Sequence, residues 1–405
     1  MTLANKPLSG LHIVDISTYV AGPSATMTLA QLGADVVRVD PPGGATDTKR
    51  LPIGPDGTSL YWVGLNKGKR SIAIDTRQDA GRKIVQDLIA VPGDGHGIVV
   101  TNSVAHEWIS YEALRAIRPD VIHVHIFGRA DGKPAVDYTI NPEVGLPWLT
   151  GPTNSATPVN HVLPAWDLLA GLHAAMAVLV ADRTRRQTGE GQSIQLSLDS
   201  VATSVMGHLG FVADVALNGN ERLRDGNHLF GSFGCDFPTA DGKRVMVVAL
   251  TSRHWRSMVD LTGSRDVVSA LEKALDVDFA REQMRYEHRD LLTALLAPWF
   301  ARHTRDQVAE ALDAGQVLWG DYRTVTEMVT AADGLIRTGD LFQDVVQPGV
   351  GTFPVPGPVA RTTQWDPGAP VPAPSIGQHT DTVLADWLDL PPETLAQLRA
   401  ASVIA

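Results

Sequence analysis

The rhythm of the first third of the chain is the strongest constraint on its fold. From Leu11 to Ile126, short apolar and β-branched runs alternate with stretches of helical periodicity. Leu11–Ile16, Asp35–Val39, Ser71–Ile74, Gly97–Val100 and Val121–Ile126 read as strands, with helices at Ala25–Leu32, Ala80–Ile89 and Tyr111–Ile117 between them. Strands separated by helices build a mostly parallel sheet covered by those helices, which is the α/β class. Gly33 follows Leu32 where the helix has to stop, and glycine tolerates the left-handed conformation needed there.

The pattern then lengthens. A helix is expected from Asp167 to Arg186, closed by Thr188-Gly189-Glu190-Gly191, with Ser193–Leu198 alternating as a strand after it. Beyond Arg224 the character changes. Asp241-Gly242 is a tight-turn dipeptide leading into the strand Val245–Leu250, and helices follow around Trp255–Leu261, Val267–Leu275 and Arg289–Phe300. The chain has 405 residues, more than one ordinary core organises. The expectation is a large domain over 1–224, completed by 341–405, and a smaller α/β domain over 225–340. Pro348–Pro374 reads as an extended tail rich in Pro and Gly, and Asp381–Leu398 as a last helix returning to the large domain.

Composition removes several functions. With one cysteine, Cys235, no intrachain disulfide forms, and Met1-Thr-Leu-Ala-Asn has no signal-peptide character, so a reducing cytoplasm is the expected home. The longest apolar run, Leu168–Ala181, contains His173 and falls short of the roughly 20 residues that cross a bilayer, so a buried helix and no membrane contact are expected. A net charge of -11 argues against nucleic-acid binding, which needs an excess of Lys and Arg on one face. The first 75 residues depart slightly from that acidity, with seven Lys/Arg against six Asp, and would suit an anionic ligand better than the remainder.

No metal site is expected, since the sequence lacks Cys-x-x-Cys and His-x-x-x-His spacings. Phosphate loops of the Gly-x-x-x-x-Gly-Lys type, dinucleotide Gly-x-Gly-x-x-Gly and the Gly-x-Ser-x-Gly elbow are missing as well. What remains is local. Ser17-Thr18-Tyr19-Val20-Ala21-Gly22-Pro23 carries the first strand into a helix, which leaves N–H groups at the helix start for an anion or polar linker, or is an ordinary turn. Arg38 on the next strand pairs a phosphate or is a surface residue, and Asn66-Lys67-Gly68-Lys69-Arg70 is a second anion candidate or a solvated charge run. Asp167 stands between Trp166 and the apolar Leu168-Leu169-Ala170-Gly171, at the start of the long helix. It either caps that helix or, ionised and stabilised by the helix start, attacks a substrate carbonyl.

Together these segments resemble the class III CoA-transferases, the CaiB/BaiF family, along nearly the whole chain. The resemblance rests on Gly10–Asp15 with Ala21-Gly22-Pro23, on Leu32–Val39, on Leu65–Ile72, on Asp167 with Arg183 and Thr188–Gln192, and on His379-Thr380-Asp381. It implies a Rossmann-like large domain built from both chain ends, a small domain between, and a homodimer of interlocked, ring-shaped subunits. It implies no tightly bound cofactor, coenzyme A entering as part of the substrate. Asp167 then stands where the family forms acyl-anhydride and CoA-thioester intermediates. Val20 and Ala21 fall near the pantetheine, Arg38 at the phosphates, Ile74 and Arg77 by the adenosine, and Asn102 along the CoA. The family continues that asparagine as Asn-Phe-Arg-Pro-Gly, whereas Ser103-Val104-Ala105 follows here, so a usual basic contact is missing. Only Gly231 and Gly234 represent its glycine-rich shielding loop.

Racemases of the family need a histidine before an aspartate in Gly-His-Asp; Val136 precedes Asp137 here, which removes the second base. Longer runs, Val136–Pro142, Gly145-Leu146-Pro147, Val159–Asp167 and Asp241–Val248, resemble a subgroup that moves CoA from one carboxyl of an unsaturated C5 diacid to the other. The substrate so implied is the CoA thioester of a small dicarboxylic acid. Tyr138, Asn141 and His161 are candidates for orienting the diacid or are loop packing. Transfer to a separate acceptor acid, and CoA-thioester binding without catalysis, are the alternatives.

Overall fold

The N-terminal alternation becomes one six-stranded sheet. β1 (His12–Ile16), β2 (Asp35–Asp40), β3 (Arg70–Ala73), β4 (Ile98–Thr101), β5 (Ile122–Phe127) and β6 (Gln192–Ser197) lie in the order β3-β2-β1-β4-β5-β6, and every neighbouring pair is parallel. The computed structural model describes residues 6–103, 106–360 and 363–405. Helices α1 (Ala21–Gln31), α2 (Leu60–Leu65), α3 (Asp79–Ala90), α4 (Tyr111–Ile117) and α5 (Asp137–Ile140) connect the strands, α6 (Leu146–Leu149) follows, and α7 (Ala165–Thr188) is the long helix before β6. α8 (Leu198–His208) and α9 (Phe211–Asn218) come after it.

Central strands are buried on both faces, which is why they read as continuous apolar runs: Ile13, Val37, Val99 and Val100 are all fully buried. Each such side chain contributes about 1.5–3 kcal/mol relative to exposure. The same core takes in Val383, Leu384, Leu395, Val403 and Ile404 from the C-terminal end. Two hydrogen bonds to the edge strand β3 fix that return, Ser71 N–H to His379 Nδ1 at 3.2 Å and Ala73 N–H to Thr380 Oγ1 at 3.0 Å.

By its contacts the chain divides into two units, Met1–Val144, Val162–Asn218 and Ile336–Ala405 in one, Gly145–His161 and Gly219–Leu335 in the other. The segments 145–161 and 219–224 thus group with the second unit, whereas the sequence pattern places them in the first. The second unit carries an antiparallel sheet of β7 (Phe233–Pro238), β8 (Arg244–Ala249) and β9 (Leu318–Asp321), packed through Phe233, Phe237, Trp255, Phe279 and Phe300.

Three expectations are corrected. The start of the supposed tail is not extended coil: its residues Gly351–Pro356 form β11, paired as a hairpin with β10 (Phe342–Gln347) just before it. The last helix is two, Thr380–Leu388 and Pro392–Ala400, broken at Asp389 with φ 53°. Finally, α7 outruns its expected bounds: it runs over 24 residues, and its most apolar 18-residue window, with a mean hydropathy of 1.4 and 44% of it buried, is long and apolar enough to cross a membrane. Its inward face, Trp166, Ala170, Ala174, Val178 and Ala181, belongs to the core, while Leu172, Met176 and Val180 are exposed.

Candidate active site

A sheet ordered 3-2-1-4-5-6 winds outward in both directions from β1 and β4, so a crevice opens beyond the C-terminal ends of those two strands. The turn leaving β1 is built to a strained shape. Tyr19 has φ 68°, which costs a residue with a Cβ on the order of 1–3 kcal/mol. Asn102, just past β4, clamps it: Thr18 N–H donates to Asn102 Oδ1 at 2.9 Å and Asn102 Nδ2 donates to Thr18 O at 2.8 Å. Tyr19 N–H donates to Asp47 Oδ2 at 3.0 Å. Behind Asp47 the Arg38 guanidinium donates to the same oxygen at 3.0 Å, to Asp40, and to Asn66 Oδ1 at 3.2 Å.

The network continues inward. Lys69 Nζ donates to Asn66 Oδ1 and Asp15 Oδ2, both at 2.8 Å, and Asp15 accepts the Ser17 N–H at 3.0 Å. Burial alone would raise the Asp15 carboxyl, but Lys69 and then Arg38 hold it below the usual carboxylate range. The N–H groups of Val20, Ala21 and Gly22 at the start of α1 find no acceptor among the described residues, and Pro23 supplies no N–H at all.

One glycine lets the turn close on itself and another lets the long helix come close. A Cβ on Gly22 would lie 2.3 Å from Ser17 Cβ, and one on Gly171 would lie 2.1 Å from Ser24 Oγ and 2.8 Å from Ala21 O. α7 therefore crosses α1 at backbone distance, one turn after Asp167. Asp167 lies in the first turn of α7, but it does not cap it. The cap is Asp137, whose Oδ2 accepts the N–H groups of Trp166 at 2.7 Å and Asp167 at 3.1 Å. This corrects the expectation that the helix start would keep Asp167 ionised. The donors are already spent on a second, buried carboxylate, so burial first and the Asp137 charge second push Asp167 up to about 7, while Arg50 pulls the other way.

Val20, Ala21, Asn102, Tyr138 and Asp167 line one cavity of about 450 Å³ at this crevice. Arg38 does not. It is fully buried outside that cavity, and its guanidinium donates to Asp40, Asp47 and Asn66, so its side chain braces the turn behind the crevice. The charge run at 66–70 is likewise no solvated patch: Asn66, Lys67 and Lys69 are buried. Ile74 and Arg77 follow β3 further along the same sheet edge. Ile74 is fully buried and bridges to Ile404, and the Arg77 guanidinium is exposed, held by Asp75. Asn141 is buried just after α5 and contributes no surface to the cavity, and His161 belongs to the second unit. Gly231 and Gly234 also lie in the second unit, the latter inside β7.

The sequence does not single out as site residues several that line the cavity, among them Tyr19, Arg50, Tyr61 and Asp137. Tyr19 and Tyr61 flank the Arg50 guanidinium, whose carbon lies 5.6 Å and 4.8 Å from their ring centroids. For Asp137 a signal exists, an aspartate in a motif without a role. Arg50 and Tyr61 carry none, being brought in by the long connection from β2 to β3.

Comparison with known proteins identifies the family and the fold. The sequence matches the profile of CoA-transferase family III over residues 8–380. It is 44% identical to the 2-methylfumaryl-CoA isomerase of Chloroflexus aurantiacus, covering 98% of both chains, and 27% identical to the succinyl-CoA–D-citramalate CoA-transferase of that organism, again over 98% of each. Among solved structures, a CaiB/BaiF family protein from Brucella suis superposes with a TM-score of 0.76 at 26% identity, covering 95% of this chain and 100% of that one. The chain belongs to CoA-transferase family III.

Proposed function

We propose that this chain moves coenzyme A between the two carboxyl groups of mesaconate (2-methylfumarate), with Asp167 as a covalent relay. The observation that carries this reading is Asp167 itself, a carboxylate poised near neutrality in one cavity with the unbonded helix-start N–H groups of Val20 and Ala21. The 44% identity to a 2-methylfumaryl-CoA isomerase supports the choice of diacid.

The ionised Asp167 carboxylate attacks the thioester carbonyl, forming a mixed anhydride and expelling CoA thiolate. The thiolate attacks the aspartyl carbonyl, giving an aspartyl-CoA thioester and free diacid. The diacid's other carboxylate then attacks that thioester, and the released thiolate takes the new acyl group, restoring Asp167. Helix-start N–H groups stabilise the oxyanion formed at each attack. A protein nucleophile is needed because the trans double bond keeps the two carboxyls too far apart to close a cyclic anhydride.

In this reading the pantetheine passes Val20, Ala21 and Asn102, the adenosine lies towards Ile74 and Arg77, and Tyr138 orients the diacid. Assembly is as an interlocked homodimer acting in the cytoplasm. Leu172, Met176 and Val180 on α7, with Val212, Val215 and Leu217 on α9, are exposed in one chain and supply an apolar surface for a second copy. The test is to incubate the purified protein with mesaconyl-C1-CoA alone. Conversion to the C4 isomer without added acid is expected; a strict requirement for an acceptor acid assigns the chain to intermolecular transfer instead.

A further inference from the structure

We infer that Arg50 recognises the free carboxylate of the acyl group, so that the cavity selects dicarboxylic half-thioesters over monocarboxylic ones. The inference rests on the reading of Asp167 as acyl acceptor. Among the described residues that line the Asp167 cavity, Arg50 is the one cation. Its backbone is anchored at both ends, the N–H donating to Asp47 O at 3.2 Å and the C=O accepting from Ser59 Oγ. Its guanidinium rests against the Tyr61 and Tyr19 rings, contacts that hold the plane without using an N–H. Among the described residues the side chain forms no ion pair and no hydrogen bond, although its charge is felt at Asp167. Arg38, twelve residues earlier, spends its donors on Asp40, Asp47 and Asn66. The fork of Arg50 is therefore oriented and unspent.

A half-thioester of a diacid carries one carboxylate into a cavity that already holds Asp137 and Asp167. That entry is opposed unless a cation meets it, and a guanidinium pairs a carboxylate through two parallel N–H···O bonds. The pyrophosphate of CoA is a poorer candidate for the same fork, because it sits a full pantetheine arm from the thioester whereas Arg50 shares the acyl cavity. A diacid bound by one carboxylate at Arg50 presents the other end to Asp167. Exchange of the end held at Arg50 then turns one isomer into the other.

Three readouts test this on the full-length chain, with Arg50→Gln and Arg50→Lys against the parent protein and thermal melting to check folding. Steady-state kinetics compare mesaconyl-CoA with crotonyl-CoA, followed by exchange of labelled CoA; calorimetry measures binding of free mesaconate. Losing a charge-assisted pair should raise KM for mesaconyl-CoA and Kd for mesaconate on the order of 10–100-fold in Arg50→Gln. Crotonyl-CoA kinetics should move less than about threefold, the same size as a simple loss of long-range charge, and Arg50→Lys should fall between. Equal losses for both thioesters would place Arg50 on the CoA phosphates or in the framework and overturn the inference, as would unchanged mesaconate binding. If the parent protein forms no Asp167 adduct yet binds mesaconate in an Arg50-dependent way, the relay falls and the recognition stands. If it forms the adduct but binds mesaconate equally well without Arg50, the relay stands and the recognition falls.

Discussion

Replacing Asp167 by asparagine should abolish turnover and stabilise the fold, and the second effect should depend on pH. In the folded chain this carboxyl is raised from 3.8 to about 7 by burial and by Asp137. A raised carboxylate binds its proton more tightly folded than unfolded, so stability is greatest at low pH, where both states are protonated. It then falls by about 1.4 kcal/mol per pH unit from near 4 to near 7 and is flat above. The full deficit above pH 7 is on the order of 4 kcal/mol, of which roughly 1.5 is already present at pH 5. An asparagine side chain keeps the shape without the charge, so the gain of Asp167→Asn over the parent should be about 2–3 kcal/mol larger at pH 8 than at pH 5. Urea or thermal unfolding of both proteins across pH 5–8 reads this directly. A gain independent of pH, or a loss of stability at pH 8, would refute the account of Asp167 as a carboxyl forced towards neutrality by its surroundings.

Asp137→Asn keeps an acceptor for the Trp166 and Asp167 N–H groups but removes the charge beside Asp167. The acid limb of kcat/KM should move to lower pH, and an unmoved limb would show that burial alone sets Asp167. Gly171→Ala should cost about 1–3 kcal/mol in denaturant unfolding, since its Cβ would lie 2.1 Å from Ser24 Oγ and α7 must shift off α1. A neutral result would mean that the two helices have slack where the site needs closeness.

Where the sequence showed the fold, it did so through local periodicity, and where it misled, a local signal was outweighed. Pro354 and Pro356 argue against a strand, yet both prolines sit two apart in β11, opposite Asp344 and Phe342. In a two-stranded hairpin, N–H positions of that one side need not face a partner, so the missing donors cost nothing. The break in the last helix is written in Pro391-Pro392 but hidden by an apolar pattern running across it.

The site was legible in a different proportion. Asp167 is conspicuous because a lone acid opens an apolar helix, and Thr18–Ala21 because a strand turns there into a helix. The electrostatics that decide what Asp167 does were not legible. The helix start that would have ionised it is consumed by Asp137, thirty residues earlier, and the opposing cation arrives from the loop at Arg50. A carboxylate at a helix N-terminus is ordinarily a cap, stabilised and inert. Here the cap is supplied from outside the helix, and that substitution leaves Asp167 unbound by its own backbone and raised in pKa. Capping and nucleophilicity are thus divided between two aspartates, and only their meeting in space distinguishes one role from the other.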